Sequence, residues 1–191
     1  MEESTSREKV LKKIRNALIY KTDNPFPDVD FEKPVFKDIE ETYDIAFAQE
    51  FTRVGGKFIF CESENEFLQS LKFLVNENKW GNLYCNEHKL GELLQNANIE
   101  FDTAEKEFRK INIGLTRCEF LIARLGSIMV SSKQSLGRRI NVFPEKHLVL
   151  AYSSQLVPDL KDAFAKIKEK YPTAIPSFIS VITGQSRTAD I

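Results

Sequence analysis

From residue 57 onward the chain alternates short apolar runs with amphipathic stretches, and that alternation limits the possible fold more than any other feature. Residues 57–61 (Lys-Phe-Ile-Phe-Cys) form one apolar run, and Ser63-Glu64-Asn65-Glu66 is a helix-opening signature ahead of residues 64–77. Residues 82–85 read as a second strand, 87–96 as a second helix and 99–101 as a short third strand. Strands interleaved with helices in this way predict an α/β fold with a mostly parallel sheet covered on both faces.

Two regions depart from that rhythm. Residues 6–20 place Val10, Leu11, Ile14, Ala17 and Leu18 at helical spacing behind Ser6, an N-cap that lacks a full capping box because Lys9 follows. Pro25, Pro27 and Pro34 then punctuate residues 24–34, which read as a linker or wrapping arm. The expected division is therefore an N-terminal helix and proline-rich arm, residues 1–36, and an α/β domain, residues 37–191. That domain opens with a helix over residues 39–53, closed by Gly55-Gly56. Beyond Gly114, residues 118–124 and 128–132 are apolar runs flanking Leu125-Gly126-Ser127, which suggests a strand–turn–strand unit. Residues 134–141 read as a polar loop, 147–152 as a buried strand, 157–170 as an amphipathic helix and 178–183 as the last strand.

Charge and cysteine usage exclude several function classes. With 27 basic and 28 acidic residues the net charge is −1, which argues against general nucleic-acid or membrane-surface binding. Cys61, Cys85 and Cys118 are far apart and form no CxxC pair, so no zinc or iron–sulfur site is expected within the chain. Thiols packed at the ends of apolar runs suit a reducing cytoplasm. The charged N-terminus lacks the apolar core of a signal peptide, and no apolar run approaches the ~20 residues of a membrane span. The two histidines, His88 and His147, lack metal-ligand spacing. No dinucleotide fingerprint, P-loop, nucleophile elbow or kinase set is present.

Chemistry-bearing residues collect where strands end. The final run leads into Gly184-Gln185-Ser186-Arg187-Thr188-Ala189-Asp190-Ile191. Glycine permits a tight turn, a following helix would aim unpaired N–H groups at one point, and Arg187 would add a forked donor, so the segment fits an anion site. It fits a capped helix with a surface Arg187–Asp190 pair as well. Gly126 and Ser127 suit the same ligand or a plain hairpin turn. Ser131, with Ser132 and Lys133, adds hydroxyls and a cation. Arg139, beside Arg138, is a further anion candidate or a solvated loop residue. His147 opens an apolar strand, where it suits either a ligand contact or an internal hydrogen bond. Ligands of open α/β sheets bind at the carboxyl ends of strands, so these groups together are candidates to hold an anion.

Across residues 114–191 the chain resembles the LUD-domain family, in particular its lactate utilization protein C (LutC/YkgG-like) group. The likeness is carried by Gly114-Leu115-Thr116, by residues 121–132 (Leu-Ile-Ala-Arg-Leu-Gly-Ser-Ile-Met-Val-Ser-Ser), and by Arg139, Pro144, His147-Leu148-Val149 and Gln155-Leu156-Val157. It continues through residues 182–191 (Ile-Thr-Gly-Gln-Ser-Arg-Thr-Ala-Asp-Ile). The resemblance implies a three-layer α/β/α fold of the NagB/RpiA/CoA transferase-like kind. It also implies an accessory role in oxidising L-lactate to pyruvate. The iron–sulfur clusters are then expected in partner proteins similar to LutA and LutB, with no cofactor on this chain. A small anionic ligand and a second copy of the chain are further expected partners. The rival expectation is a stand-alone enzyme of the same superfamily acting on a CoA, phosphosugar or folate-like substrate.

The chain departs from the family pattern at two places. Many members carry Glu-Thr ahead of the Gly-Ser turn, where Arg124-Leu125 stand here, so a carboxylate base or nucleophile is missing from that position. Relatives also continue past the Ser-Arg-Thr-Ala-Asp-Ile segment into a Gly-His-Gly-Pro-like turn, and any site that needs that turn is left unassigned.

Overall fold

A computed structural model describes residues 5–19, 25–30, 33, 36–78, 80, 83–103, 111–134 and 138–185. The chain divides into two compact units, residues 1–38 and 39–191. In the first, helix α1 spans Ser6–Ile19. Its cap lies one residue before the expected one. The Thr5 hydroxyl accepts from Glu8 N at 3.3 Å and Glu8 accepts from Thr5 N at 2.8 Å, a complete capping box. No residue of α1 is buried, and Val10, Leu11, Ile14 and Leu18 are each at least half exposed.

The second unit opens with α2, Tyr43–Arg53, shorter than the 39–53 expected because Thr42 is its extended N-cap residue. Helix α3, Glu64–Glu77, follows its signature. Ser63 Oγ accepts from Glu66 N, and Glu66 accepts in turn from Glu62 N at 2.7 Å. Then come β1 (Leu83–Tyr84), α4 (His88–Asn96), β2 (Ile113–Arg117), β3 (Phe120–Ile122), β4 (Ser127–Ser131), β5 (Lys146–Leu150), β6 (Leu156–Val157), α5 (Leu160–Lys170) and β7 (Ile179–Ile182). Helix α5 starts later than expected because Asp159 caps it, its carboxylate accepting from Leu160 N at 2.6 Å. No described helix is long and apolar enough to cross a membrane.

Three strand readings need correction. Residues 57–61 join no described ladder, and Phe58, Ile59 and Phe60 are 43%, 56% and 64% exposed. Apolar content favours burial, but a strand also needs a hydrogen-bonding neighbour. Residues 99–101 likewise form no strand. The chain instead touches the sheet through one bridge, Asp102 to Tyr84. Conversely, β2 arises at residues 113–117, where Gly114, Thr116 and Arg117 interrupt the apolar pattern. Gly114 is required by packing, since a Cβ there would lie 2.8 Å from Pro144 and 2.9 Å from Ile140.

The fold is α/β. One sheet is wholly parallel, in the order β1-β2-β5. The other runs β6-β3-β4-β7, with β3–β4 and β4–β7 antiparallel and β3–β6 parallel. Ile113 and Leu115 of β2 bury one face of the parallel sheet against Leu71 of α3 and Leu90 and Leu94 of α4. The second sheet is packed on both faces. Phe47 of α2 meets Leu121, Ile128 and Val130, while Ala163 and Ile167 of α5 meet Phe120, Ile122 and Met129. The side-chain period of two sends alternate residues of β3 and β4 to opposite helices.

Candidate functional site

Gly126, Ser127 and Gly184 meet at one joint. Antiparallel pairing of β4 with β7 sets Ile128 opposite Ile182, so Ser127 lies beside Thr183. Their hydroxyl oxygens are 2.7 Å apart, and Ser127 is fully buried. Gly126 adopts φ +56° as it closes the β3–β4 hairpin, and Gly184 adopts φ +73° just beyond β7. A side chain at either would strike the end of α2. A Cβ on Gly126 would lie 2.3 Å from Phe51 N, and one on Gly184 2.3 Å from Val54 O. Gln185 then donates to Gly55 O at 3.2 Å. The joint fixes the root of the segment bearing Ser186, Arg187, Thr188 and Asp190, which lie outside the described residues. The carboxyl end of α2 presents carbonyls and the negative end of its dipole here. Donors for an anion at this place must therefore come from other groups.

The remaining candidates sit elsewhere. Arg124 bonds Asp159 Oδ2 through Nε at 2.8 Å, and its backbone N–H donates to Pro158 O at 3.1 Å. It therefore ties the hairpin to the start of α5. Ser131 is at the far end of β4, four residues from Ser127, or about 13 Å at ~3.3 Å per residue. There it donates to Glu119 Oε1 at 2.6 Å. Lys170 Nζ reaches Glu119 Oε2 at 2.7 Å, and the Tyr171 hydroxyl donates to Oε1 at 2.9 Å. Three donors thus surround a fully buried carboxylate. Partial burial, the largest single influence, opposes the charge of Lys170, but the hydrogen bonds and charges of Glu119 and Tyr171 together outweigh it and its pKa is raised. Burial, then the Glu119 bond, raises that of Tyr171.

His147 belongs to the parallel sheet. It pairs in register with Gly114, and its Nε2 is 2.8 Å from Thr116 Oγ1. Burial lowers its pKa from 6.5 to about 4, so the ring is neutral at pH 7. Arg139 is exposed in a 3₁₀ turn, Arg138–Asn141, whose Ile140 packs over Gly114.

A polar group that sequence reading missed lies at the carboxyl ends of the parallel strands. Glu87, three residues beyond β1, is almost wholly buried. Its carboxylate accepts from Arg117 N and from Arg117 Nε, both at 2.7 Å. Beyond β5, the Tyr152 hydroxyl donates to Glu64 Oε1 at 2.7 Å. That bond, then burial, raises the pKa of Tyr152, while the charge of Arg117 works in the opposite direction. Cys85 and Cys118 lie beneath as inert thiols, pushed up by burial to about 11 and about 12. Among the described residues no group of three or more His, Cys, Asp or Glu side chains is arranged to hold a metal ion.

Comparison with known proteins adds a family and a fold. The profile of the LUD domain matches residues 46–191. Lactate utilization protein C of Bacillus licheniformis is 28% identical over 149 residues, 76% of this chain and 59% of that protein. The protein of the same name from Geobacillus thermodenitrificans is 27% identical over 148 residues, with the same coverage. The chain thus spans about three fifths of the length of these curated relatives. The crystal structure of a DUF162 family protein from Deinococcus radiodurans superposes with a TM-score of 0.61 at 13% identity, over 74% of this chain and 87% of that one.

Proposed function

Because this chain belongs to the LUD-domain family, we propose that it serves lactate utilization in the cytoplasm. In this reading it is a component without a cluster of its own, working beside iron–sulfur partners similar to LutA and LutB. The reaction removes two electrons and two protons from L-lactate to give pyruvate. The partners take the electrons, and this chain holds an anionic group at its strand ends. The observation that carries the reading is the span of the family match. It takes in both sheets and the joint of Gly126, Ser127 and Gly184, and relatives named for lactate utilization align over the same body.

At that joint the Ser127–Thr183 contact and the two left-handed glycines hold the end of β7 close to α2. Ser186, Arg187, Thr188 and Asp190, next in the chain, would supply the anion's contacts, whereas Ser131, Arg139 and His147 lie elsewhere in the fold, apart from this joint.

The test is to purify the tagged chain from cells grown on L-lactate, and separately to assay the isolated chain with L-lactate and a redox dye. Co-purifying proteins that carry iron and acid-labile sulfide, together with an inert isolated chain, are expected. An isolated chain that reduces the dye overturns the accessory role.

A further inference from the structure

The carboxyl end of the parallel sheet carries a second polar centre, distinct from the joint below α2. Arg117 is the last residue of β2 and pairs in register with Leu150, two residues before Tyr152. Alternation puts Ile113, Leu115 and Arg117 on one face of β2, and Leu148, Leu150 and Tyr152 on one face of the neighbouring chain. The apolar members of both sets share one core cluster with α3 and α4. Arg117, at the end of β2, and Tyr152, two residues past the end of β5, therefore emerge on the same side of strands about 4.8 Å apart. That is where α3 begins with Glu64 and α4 begins after Glu87.

The bonding leaves complementary groups open. Both oxygens of Glu87 are occupied by Arg117, which fixes the guanidinium while its side chain stays 35% exposed. Only Nε of the guanidinium is used, and the two terminal nitrogens take no partner among the described residues. This is the edge of an arginine that recognises a carboxylate with two parallel bonds. Tyr152 occupies one oxygen of Glu64, and the other is an open acceptor. Charge narrows the ligand further. Glu87 offsets Arg117, so Glu64 leaves the cluster with one net negative charge. Against that net charge a dianion such as hydrogen phosphate meets about twice the repulsion that a monocarboxylate meets. A ligand hydroxyl, by contrast, donates to Glu64 at no such cost.

We propose that Arg117, Glu64 and Tyr152, with Glu87 as the positioning residue, form a binding site for a small monocarboxylate that carries a neighbouring hydroxyl. The carboxylate lies on the terminal nitrogens of Arg117 and the hydroxyl donates to Glu64. The choice of a 2-hydroxy acid as probe rests on the lactate reading above, whereas the pairing of a fork with an acceptor rests on the geometry alone.

Titration calorimetry of the full chain with L-lactate, pyruvate, acetate and inorganic phosphate tests the proposal, with circular dichroism confirming that each variant is folded. L-Lactate should bind saturably and at least tenfold more tightly than acetate, pyruvate or phosphate. Arg117→Lys should weaken it at least tenfold. Glu64→Ala, at an exposed helix start, should bring lactate down to the affinity of acetate. Equal binding of all four anions, no binding of lactate, or lactate affinity indifferent to both variants overturns the site. Lactate binding lost in Arg187→Ala but kept in Arg117→Lys also overturns it, while leaving the lactate role intact. A chain that supports growth on lactate yet binds none at Arg117 sinks this site alone.

Discussion

The part-buried pair of His147 and Thr116 makes stability depend on pH in a way that can be calculated. In the unfolded chain His147 takes up a proton near pH 6.5, whereas burial holds it off until about pH 4 in the fold. Between those values the unfolded state binds more protons, so stability falls as the pH drops. The contribution is fully present above pH 6.5 and is lost progressively below it. At ~1.4 kcal/mol per pH unit the full loss is about 3 kcal/mol, of which about 2 kcal/mol appears between pH 7.5 and pH 5.0. The perturbation is His147→Gln, which keeps a polar contact to Thr116 and removes the titration. Urea unfolding of both proteins at pH 7.5, 6.5, 5.5 and 5.0 supplies the test, because every other titrating group cancels in the difference. The native chain should lose about 2 kcal/mol relative to the variant over this range, a midpoint difference of roughly 1 M for a slope of ~2 kcal/mol per M. A stability difference that stays constant with pH would refute the buried neutral histidine.

Two further predictions follow from packing. Gly126→Ala combines a left-handed backbone with overlap against backbone of α2, and should cost more than ~3 kcal/mol in a denaturant melt. The control Gly55→Ala keeps a positive φ but meets only the Gln185 side chain at 3.6 Å, so it should cost about 1–2 kcal/mol. At the buried carboxylate, Glu119→Ala strands the hydroxyls of Ser131 and Tyr171 and should cost about 3 kcal/mol in the same assay. Lys170→Met leaves the fully buried Glu119 carboxylate without its cation and should cost about 3 kcal/mol as well.

The helices were legible because their signals are local. Ser63 and Glu66 sit three residues apart at the start of α3, and Leu160, Phe164 and Ile167 repeat at helical spacing along α5. Strands were read from apolar content, which failed in both directions. Residues 57–61 have the content without a partner, whereas β2 has partners on both sides despite Gly114, Thr116 and Arg117. The joint was half legible. The turns at Gly126 and Gly184 follow from sequence, but the contact of Ser127 with Thr183 spans 56 residues and depends on strand register. The Glu87–Arg117 clamp and the Glu119 centre have the same long-range character. One signal for Glu119 was present in the sequence: a lone acid between Cys118 and Phe120, inside an apolar run, has to find donors when it is buried.

Growth tests the central claim most directly. Deleting the gene in its host, then restoring either the native chain or a Gly126→Ala form, should give cells that grow on L-lactate only with the native chain, while all grow alike on pyruvate. Deletion cells that grow on L-lactate as well as on pyruvate would contradict a role in lactate utilization.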